Sequence, residues 1–296
     1  MIRLRAGCKV NLGLRVTGRR PDGYHELDSV FWPLARPCDD LLVRVRQEPG
    51  ISIACDAPGI DPARNTLTKA YAAFADLADD APGLEVQLVK RIPSGAGLGG
   101  GSSDAASLLL WLNSLQGDPL SHEKLTRAAL AVGADVPFFL SGRPSRVTGI
   151  GEVVEPLAGN MPPLFLVLVC PDIHVATGEA FARLDELRAA KPAAGLATPQ
   201  NSLTKAARAA NGNRLIGAAC LDLTNDLEAV VFPRHPQLAE LKARLGGLGA
   251  LAASMSGSGS SVFGLFAAQA AARAAAARLR GQYPRVYCLA LENAGM

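Results

Sequence analysis

Apolar and polar residues alternate through the first sixty positions in four bursts, KVNLGLRV, VFWPLA, DLLVRVRQ and ISIACD. A period of two marks half-buried strands, and the turn formers PDGYH and EPG set the breaks. The period then changes. NTLTKAYAAFADLADD places Leu67, Ala70, Tyr71 and Phe74 on one helical stripe behind Asn65, a favoured N-cap. LEVQLVKRI alternates again and runs into a glycine-rich loop, PSGAGLGGGSSDAA, Pro93 to Ala106. Behind the loop, SSDAASLLLWLNSLQG predicts a buried helix that starts near Ser102 and stops at Gly117. SHEKLTRAALAVG predicts another, from Ser121 to Gly133.

Past Gly151 the texture differs. LFLVLVC is a short continuous apolar strand, and a helix is expected around Gly178–Ala190. The polar, alanine-rich stretch KPAAGLATPQNS, within 191–203, is the loosest part of the chain. The remainder reads as helix, strand, SGSGSS loop, strand VFGLF, alanine-rich helix and strand VYCLALE. A break at EPLAGNMPP, 155–163, divides a domain over 1–158 from a smaller one over 159–296. No charged residue stands between Leu245 and Ala272, which is long enough to span a bilayer. Its centre, SMSGSGSS, is bare polar backbone that lipid does not tolerate, so no membrane span is expected.

Composition removes several function classes. The 296 residues carry a formal charge of +3 with no block of Lys and Arg, which argues against a nucleic-acid surface. Cys8, Cys38, Cys55, Cys170, Cys220 and Cys288 are scattered singly, so neither a zinc site nor a disulfide framework is expected. MIRLRAGCKVNL lacks the apolar core of a signal peptide, and a reducing cytoplasm is the expected compartment.

The glycine loop carries the chemistry. Gly95, Gly97 and Gly100 satisfy G-x-G-x-x-G, but an antiparallel-looking meander precedes them, and the acidic partner would be Asp118 in a QGDP turn. A dinucleotide site is therefore disfavoured. A Walker loop fails as well, because Gly101 stands where its lysine belongs. A strand before and a helix behind argue against a linker. What remains is a different phosphate cradle, made of bare loop amides and the unsatisfied N–H groups of a helix start. Ser102 and Ser103 offer hydroxyls there to a phosphate oxygen or a magnesium ion.

PSGAGLGGGSSDAA resembles the ATP-binding loop of the GHMP superfamily of small-molecule kinases, which includes galactokinase, homoserine kinase and mevalonate kinase. Two further parts of that pattern are present, KVNLGLRVTGRRPDGYHELDSVF (Lys9–Phe31) and SMSGSGSSVFGLF (Ser254–Phe266). With GADVPFFLSG (Gly133–Gly142) and NDLE (Asn225–Glu228), the set resembles the 4-diphosphocytidyl-2-C-methyl-D-erythritol kinase family of the non-mevalonate isoprenoid route, over essentially the whole chain. One departure is Gly7-Cys8, where that family more often has Pro-Ala.

The resemblance implies a mixed α/β, two-domain GHMP-kinase fold, ribosomal-protein-S5-like in its N-terminal domain and ferredoxin-like in its C-terminal domain. It implies ATP and Mg2+ as cofactors and a small-molecule substrate with a cytidine diphosphate group, phosphorylated on its 2-hydroxyl. It also assigns residues. Asp135 is the candidate base and Lys9 the cation that keeps it ionised and neutralises charge in transfer. Asn65 lies near the adenosine, and Pro93, Gly95, Gly97, Leu98, Gly99, Gly100, Gly101, Ser102 and Ser103 line the phosphates. Tyr24 stacks on the cytosine, His25 hydrogen-bonds it, and Phe181 forms the opposite wall. Asn11, Ser256, Gly257 and Gly259 complete the substrate side.

The rivals are a kinase of the same superfamily acting on homoserine, mevalonate or a sugar, and a sensor that binds ATP without turnover. The Tyr24-His25 pair argues against the first, and retention of both Lys9 and Asp135 against the second. The chain is expected to act as a monomer or homodimer.

Overall fold

Two long strands open the chain, β1 (Ile2–Arg19) and β2 (His25–Arg46), paired with each other and joined by the PDGY turn. The computed structural model describes residues 1–57, 61, 65–78, 80–158, 163–190 and 223–291. The polar stretch at 191–203, Cys220 and residues 159–162 of the expected break lie outside the described residues. The chain packs as two units that are not continuous in sequence. One takes Met1–Lys9, Pro33–Ser94 and Gly99–Gly142; the other takes Val10–Trp32, Gly95–Leu98 and Arg143 onward.

In the first unit, β3 (Ile51–Cys55) lies parallel to β4 (Gly83–Val89), and α1 (Thr66–Ala75) makes the crossover that parallel pairing demands. β4 in turn runs antiparallel to Asp40–Arg46 of β2. Three helices follow, α2 (Gly100–Ser114), α3 (His122–Val132) and α4 (Val136–Ser141). The core joins Leu41, Val43, Leu84 and Leu88 from the strands to Leu67, Phe74, Leu108, Leu112 and Leu125 from the helices.

In the second unit, Leu27–Phe31 of β2 pairs with β5 (Ser145–Gly149), which pairs with β6 (Val153–Pro156). The rest builds on β7 (Leu164–Cys170), β8 (Ala252–Met255), β9 (Val262–Phe266) and β10 (Arg285–Leu291), an antiparallel sheet in the order β10-β7-β9-β8. Helices α5 (Thr177–Ala190), α6 (Glu228–Val231) and α7 (Pro236–Gly247) lie between β7 and β8 in sequence, and α8 (Gln269–Arg280) links β9 to β10. Strand, helix, two strands, helix and strand in this sheet order make the ferredoxin-like arrangement expected for this half. β7 is central and covered on both faces, which is why LFLVLVC is apolar throughout instead of alternating.

Three sequence expectations are corrected. VFWPLA and DLLVRVRQ belong to one strand, β2, because Pro33 and Pro37 fall between its registers with β5 (Leu27–Phe31) and β4 (Asp40–Arg46), where those ladders need no N–H. Helix α1 ends at Ala75, short of the expected Asp80. Helix α2 starts at Gly100, two residues before Ser102, and stops at Ser114 with Leu115 as its cap in place of Gly117. Among the described residues no helix is long and apolar enough to cross a membrane. The charge-free 245–272 segment is divided among α7, β8, the SGSGSS loop, β9 and α8.

Phe74 is completely buried in the first unit's core, whereas Leu110 of α2 is exposed. Phe74→Ala is expected to lower stability by about 3–5 kcal/mol, and Leu110→Ala by roughly 0.5 kcal/mol or less. Guanidinium denaturation followed by circular dichroism checks both.

Candidate active site

The glycine loop takes its shape from an alternation. Ala96 and Leu98 are buried and anchor the segment, while Gly95, Gly97 and Gly99, which alternate with them, stay partly exposed. At Gly97 the backbone is left-handed (φ +71°), and an added Cβ would fall on the Ser256 carbonyl. At Gly99 (φ +69°) it would stand 3.0 Å from the Phe139 ring and 3.3 Å from Cε of Lys9. Gly99 is also the N-cap of α2, and this accounts for the early helix start. A left-handed cap turns the chain straight into the helix without the polar side chain that sequence reading looks for. The first intrahelical bond runs from Ser103 N–H to the Gly99 carbonyl at 2.9 Å. The amides of Gly100, Gly101 and Ser102 are left without an intrahelical acceptor, at the positive end of the helix dipole. Ser102 is half-buried there, whereas Ser103 is buried.

Other parts of the first unit support this helix start. Thr66 Oγ1 donates to the Gly101 carbonyl at 2.9 Å, tying α1 to the first turn of α2. Asn65 caps α1 as expected, its Oδ1 accepting from Leu67 N–H at 3.0 Å. Lys9 and Asp135 come together in the same unit. The Lys9 ammonium, on a side chain only 5% exposed, lies 3.5 Å from Asp135 Oδ2, whose side chain is 31% exposed. Asp135 occupies the N-cap position of α4, but its side chain makes no capping hydrogen bond. The carboxylate is not spent on the helix. It faces a buried cation while keeping a solvent-accessible edge.

The second unit gathers the other expected residues into two groups. Ser256 Oγ accepts from Asn11 N–H at 3.2 Å and donates to the Gly97 carbonyl at 2.9 Å, joining β1, the SGSGSS loop and the Gly95–Leu98 segment. Asn11 Nδ2 donates to Ser29 Oγ at 3.0 Å, and Ser29 donates to the Gly13 carbonyl at 2.6 Å. Gly257 (φ +57°) and Gly259 (φ +86°) form the turn of the SGSGSS loop.

In the second group, His25 stacks on Phe181 with ring centroids 4.7 Å apart and an interplanar angle of 26°. Tyr24 stands beside them with 58% of its surface exposed, in a turn closed by Arg20 N–H to the Tyr24 carbonyl at 2.7 Å. An exposed phenol on a tight turn is a ready stacking platform. Among the described residues the stacked pair is thus Phe181 with His25, and Tyr24 is not part of it.

Several supporting residues had no role in the sequence reading. Asp185 holds His25 Nε2 at 2.9 Å and takes Arg19 on its other oxygen at 3.4 Å. The available signal was its position four residues after Phe181, one helical turn along α5. The NDLE segment secures the SGSGSS loop. Asn225 Nδ2 donates to the carbonyls of Met255 and Gly257, both at 2.8 Å, and its Oδ1 accepts from Leu227 N–H. Glu228 Oε1 accepts from Ser254 Oγ at 3.0 Å and from Met255 N–H at 2.9 Å.

Residues 65–143 match the family model described as the GHMP kinases N terminal domain, and residues 197–285 match that of the GHMP kinases C terminal. The chain is 45% identical to the 4-diphosphocytidyl-2-C-methyl-D-erythritol kinase of Nitratidesulfovibrio vulgaris over 97% of both proteins. A crystal structure of 4-(cytidine 5'-diphospho)-2C-methyl-D-erythritol kinase superposes with a TM-score of 0.76 at 35% identity, covering 98% of this chain and 99% of that one. Homoserine kinase from Cytophaga hutchinsonii superposes at 0.66 with 20% identity, covering 98% and 95%, a likeness of fold.

Asn225 generates a prediction of its own. Truncation to alanine strands two buried carbonyls and an amide, each worth about 1–3 kcal/mol when left unpaired. Asn225→Ala should therefore lower stability by on the order of 2–3 kcal/mol. Asn225→Asp should be no better, because it turns an acceptor toward the Met255 and Gly257 carbonyls. Denaturant midpoints of the two variants check this.

Proposed function

Because the chain belongs to the GHMP kinase family, in the branch of the 4-diphosphocytidyl-2-C-methyl-D-erythritol kinases, we propose that it transfers the γ-phosphoryl group of ATP to the 2-hydroxyl of 4-diphosphocytidyl-2-C-methyl-D-erythritol, a step of the non-mevalonate route to isoprenoid precursors. The observation that carries the chemistry is the Lys9–Asp135 pair, a buried ammonium 3.5 Å from a carboxylate that does no capping.

In the proposed reaction, the acceptor oxygen forms a bond to the γ-phosphorus as the bond to the β–γ bridging oxygen breaks, releasing ADP. Asp135 orients the acceptor hydroxyl and receives its proton. Lys9 offsets negative charge developing on the transferred group. The phosphates of ATP lie along Pro93, Gly95, Gly97, Leu98, Gly99, Gly100, Gly101, Ser102 and Ser103. The amides of Gly100–Ser102 support that reading, because nothing within α2 accepts from them. Asn65 lies toward the adenosine.

Magnesium, arriving with ATP, would neutralise the polyphosphate and fix its γ-group. The Ser102 hydroxyl, half-buried in the first turn of α2, fits as a contact to it or to a phosphate oxygen. Among the described residues no three His, Cys, Asp or Glu side chains cluster, a donor set that suits a metal held chiefly by nucleotide oxygens.

Tyr24 stacks on the cytosine, His25 meets its polar edge under the control of Asp185, and Phe181 supplies the facing wall. Ser256, Gly257 and Gly259 bound the substrate through loop backbone, with Asn11 beside them. The monomer or homodimer acts in the cytoplasm.

The test is magnesium-dependent ADP release from ATP, run with the full cytidine substrate, its analogue lacking cytidine, homoserine, mevalonate and galactose. Turnover is expected with the full substrate alone. Turnover with another alcohol would replace the substrate, and ATP binding without turnover would favour a sensor. Asp135→Ala should lower kcat by about 10²- to 10⁴-fold. Tyr24→Ala should raise the KM of the cytidine substrate by roughly 5- to 150-fold, the equivalent of one base stack, and leave that of ATP unchanged.

A further inference from the structure

Strand β4 leaves its sheet at Val89, and the next three residues lead directly into the glycine loop. Their amides have lost the ladder and need other acceptors. Carboxylates supply them. Asp56 Oδ1 accepts from Lys90 N–H at 2.8 Å, and Asp39 Oδ1 accepts from Arg91 N–H at 2.5 Å and Ile92 N–H at 2.8 Å. The other oxygen of Asp39 accepts from the Lys90 ammonium, which also donates to Asp104 Oδ2 at 2.8 Å. Asp104 stands past the last of the glycines, in the second turn of α2. One ammonium therefore connects the segment that enters the loop with the helix that leaves it.

Stability alone is a poor explanation for this cluster. Asp39 and Asp104 are buried, and desolvating such ions consumes most of what their attraction returns. Well-packed apolar replacements for buried ion clusters are often neutral or stabilising. Asp104 Oδ1 is buried with no hydrogen-bond partner among the described residues, an added cost. Burial pushes the Asp104 carboxyl up to about 7, with Lys90 opposing the shift and Asp39 adding to it. Against its own burial, the two carboxylates hold the Lys90 ammonium above its ordinary value. What the cluster provides, and an apolar patch would not, is directional fixation of two chain segments.

We propose that Lys90, Asp39 and Asp104 are positioning residues that clamp both stems of the glycine loop and so preset the amides of Gly100, Gly101 and Ser102 for a polyphosphate. The inference rests on the ATP-binding reading of that loop. None of the three residues needs to touch the nucleotide. Their contribution is to settle the loop before ATP arrives, so that binding does not have to order it.

The experiment compares two neutral replacements of similar size in the full chain. Asp104→Asn keeps an acceptor for Lys90, whereas Asp104→Leu removes it. Both are measured for the KM of ATP, for kcat, for thermal midpoint and, without any substrate, for deuterium exchange across residues 93–103. Asp104→Leu is expected to raise the KM of ATP by on the order of tenfold to a hundredfold, to lower kcat less, and to speed exchange in the loop. Asp104→Asn is expected to keep near-wild-type values. Wild-type KM and exchange in Asp104→Leu, or equal impairment of both variants, would overturn the clamp. If Asp104→Leu fails to fold, Lys90→Met/Asp104→Leu removes both members of the pair. Raised KM and faster exchange in that double variant support the clamp, and wild-type values overturn it. Absence of ADP release by the wild-type chain would defeat the proposed function, while the exchange comparison would still decide the clamp.

Discussion

An anion held by backbone amides requires those amides to be bare and also to stay in place, and the two requirements conflict. Glycine removes the side chain but brings the greatest conformational entropy to be lost. In this chain the conflict is resolved around the loop. Ala96 and Leu98 are buried as anchors, Gly97 is closed over by the Ser256 carbonyl, and Gly99 sits against Phe139 and the stem of Lys9. The space a Cβ would fill is already occupied, so the left-handed turns are enforced by packing as well as permitted by composition.

The same economy explains the other polar groups. Polar side chains near the loop are spent on backbone: Asn225 and Glu228 on the SGSGSS turn, Ser256 on Gly97, Asn65 and Thr66 on the helix starts. Asp135 differs from these. It sits where a capping residue belongs and makes no cap, while a buried lysine holds it. A carboxylate with one neighbouring cation and an accessible edge is available for chemistry.

Local features were legible in the sequence. Asn65 caps its helix as read, α3 runs between Ser121 and Gly133 as expected, LFLVLVC is a strand, and the Lys9 and Asp135 segments meet within one unit. Features that depend on distant partners were not. The partner of His25 lies 160 residues away on α5, and the carbonyls that Asn225 holds lie 30 and 32 residues on. NDLE could be quoted as part of a family pattern, but its work shows only when Met255 and Gly257 are brought beside it. The continuity of β2 was hidden because VFWPLA and DLLVRVRQ read as two separate bursts, although neither Pro33 nor Pro37 falls where the β4 and β5 ladders need a donor. The start of α2 was misplaced because its cap is a backbone conformation at Gly99, which leaves no polar signature.

The central claim is that this loop and the Lys9–Asp135 pair deliver a phosphoryl group to one hydroxyl of a cytidine-bearing alcohol. The most direct measurement is ³¹P and ¹³C NMR of the product formed from ATP and 4-diphosphocytidyl-2-C-methyl-D-erythritol. The account predicts a new phosphomonoester resonance whose phosphorus couples to the quaternary C2 carbon, with the cytidine diphosphate signals retained. A monoester coupled to another carbon, or inorganic phosphate appearing with no ester, would contradict it.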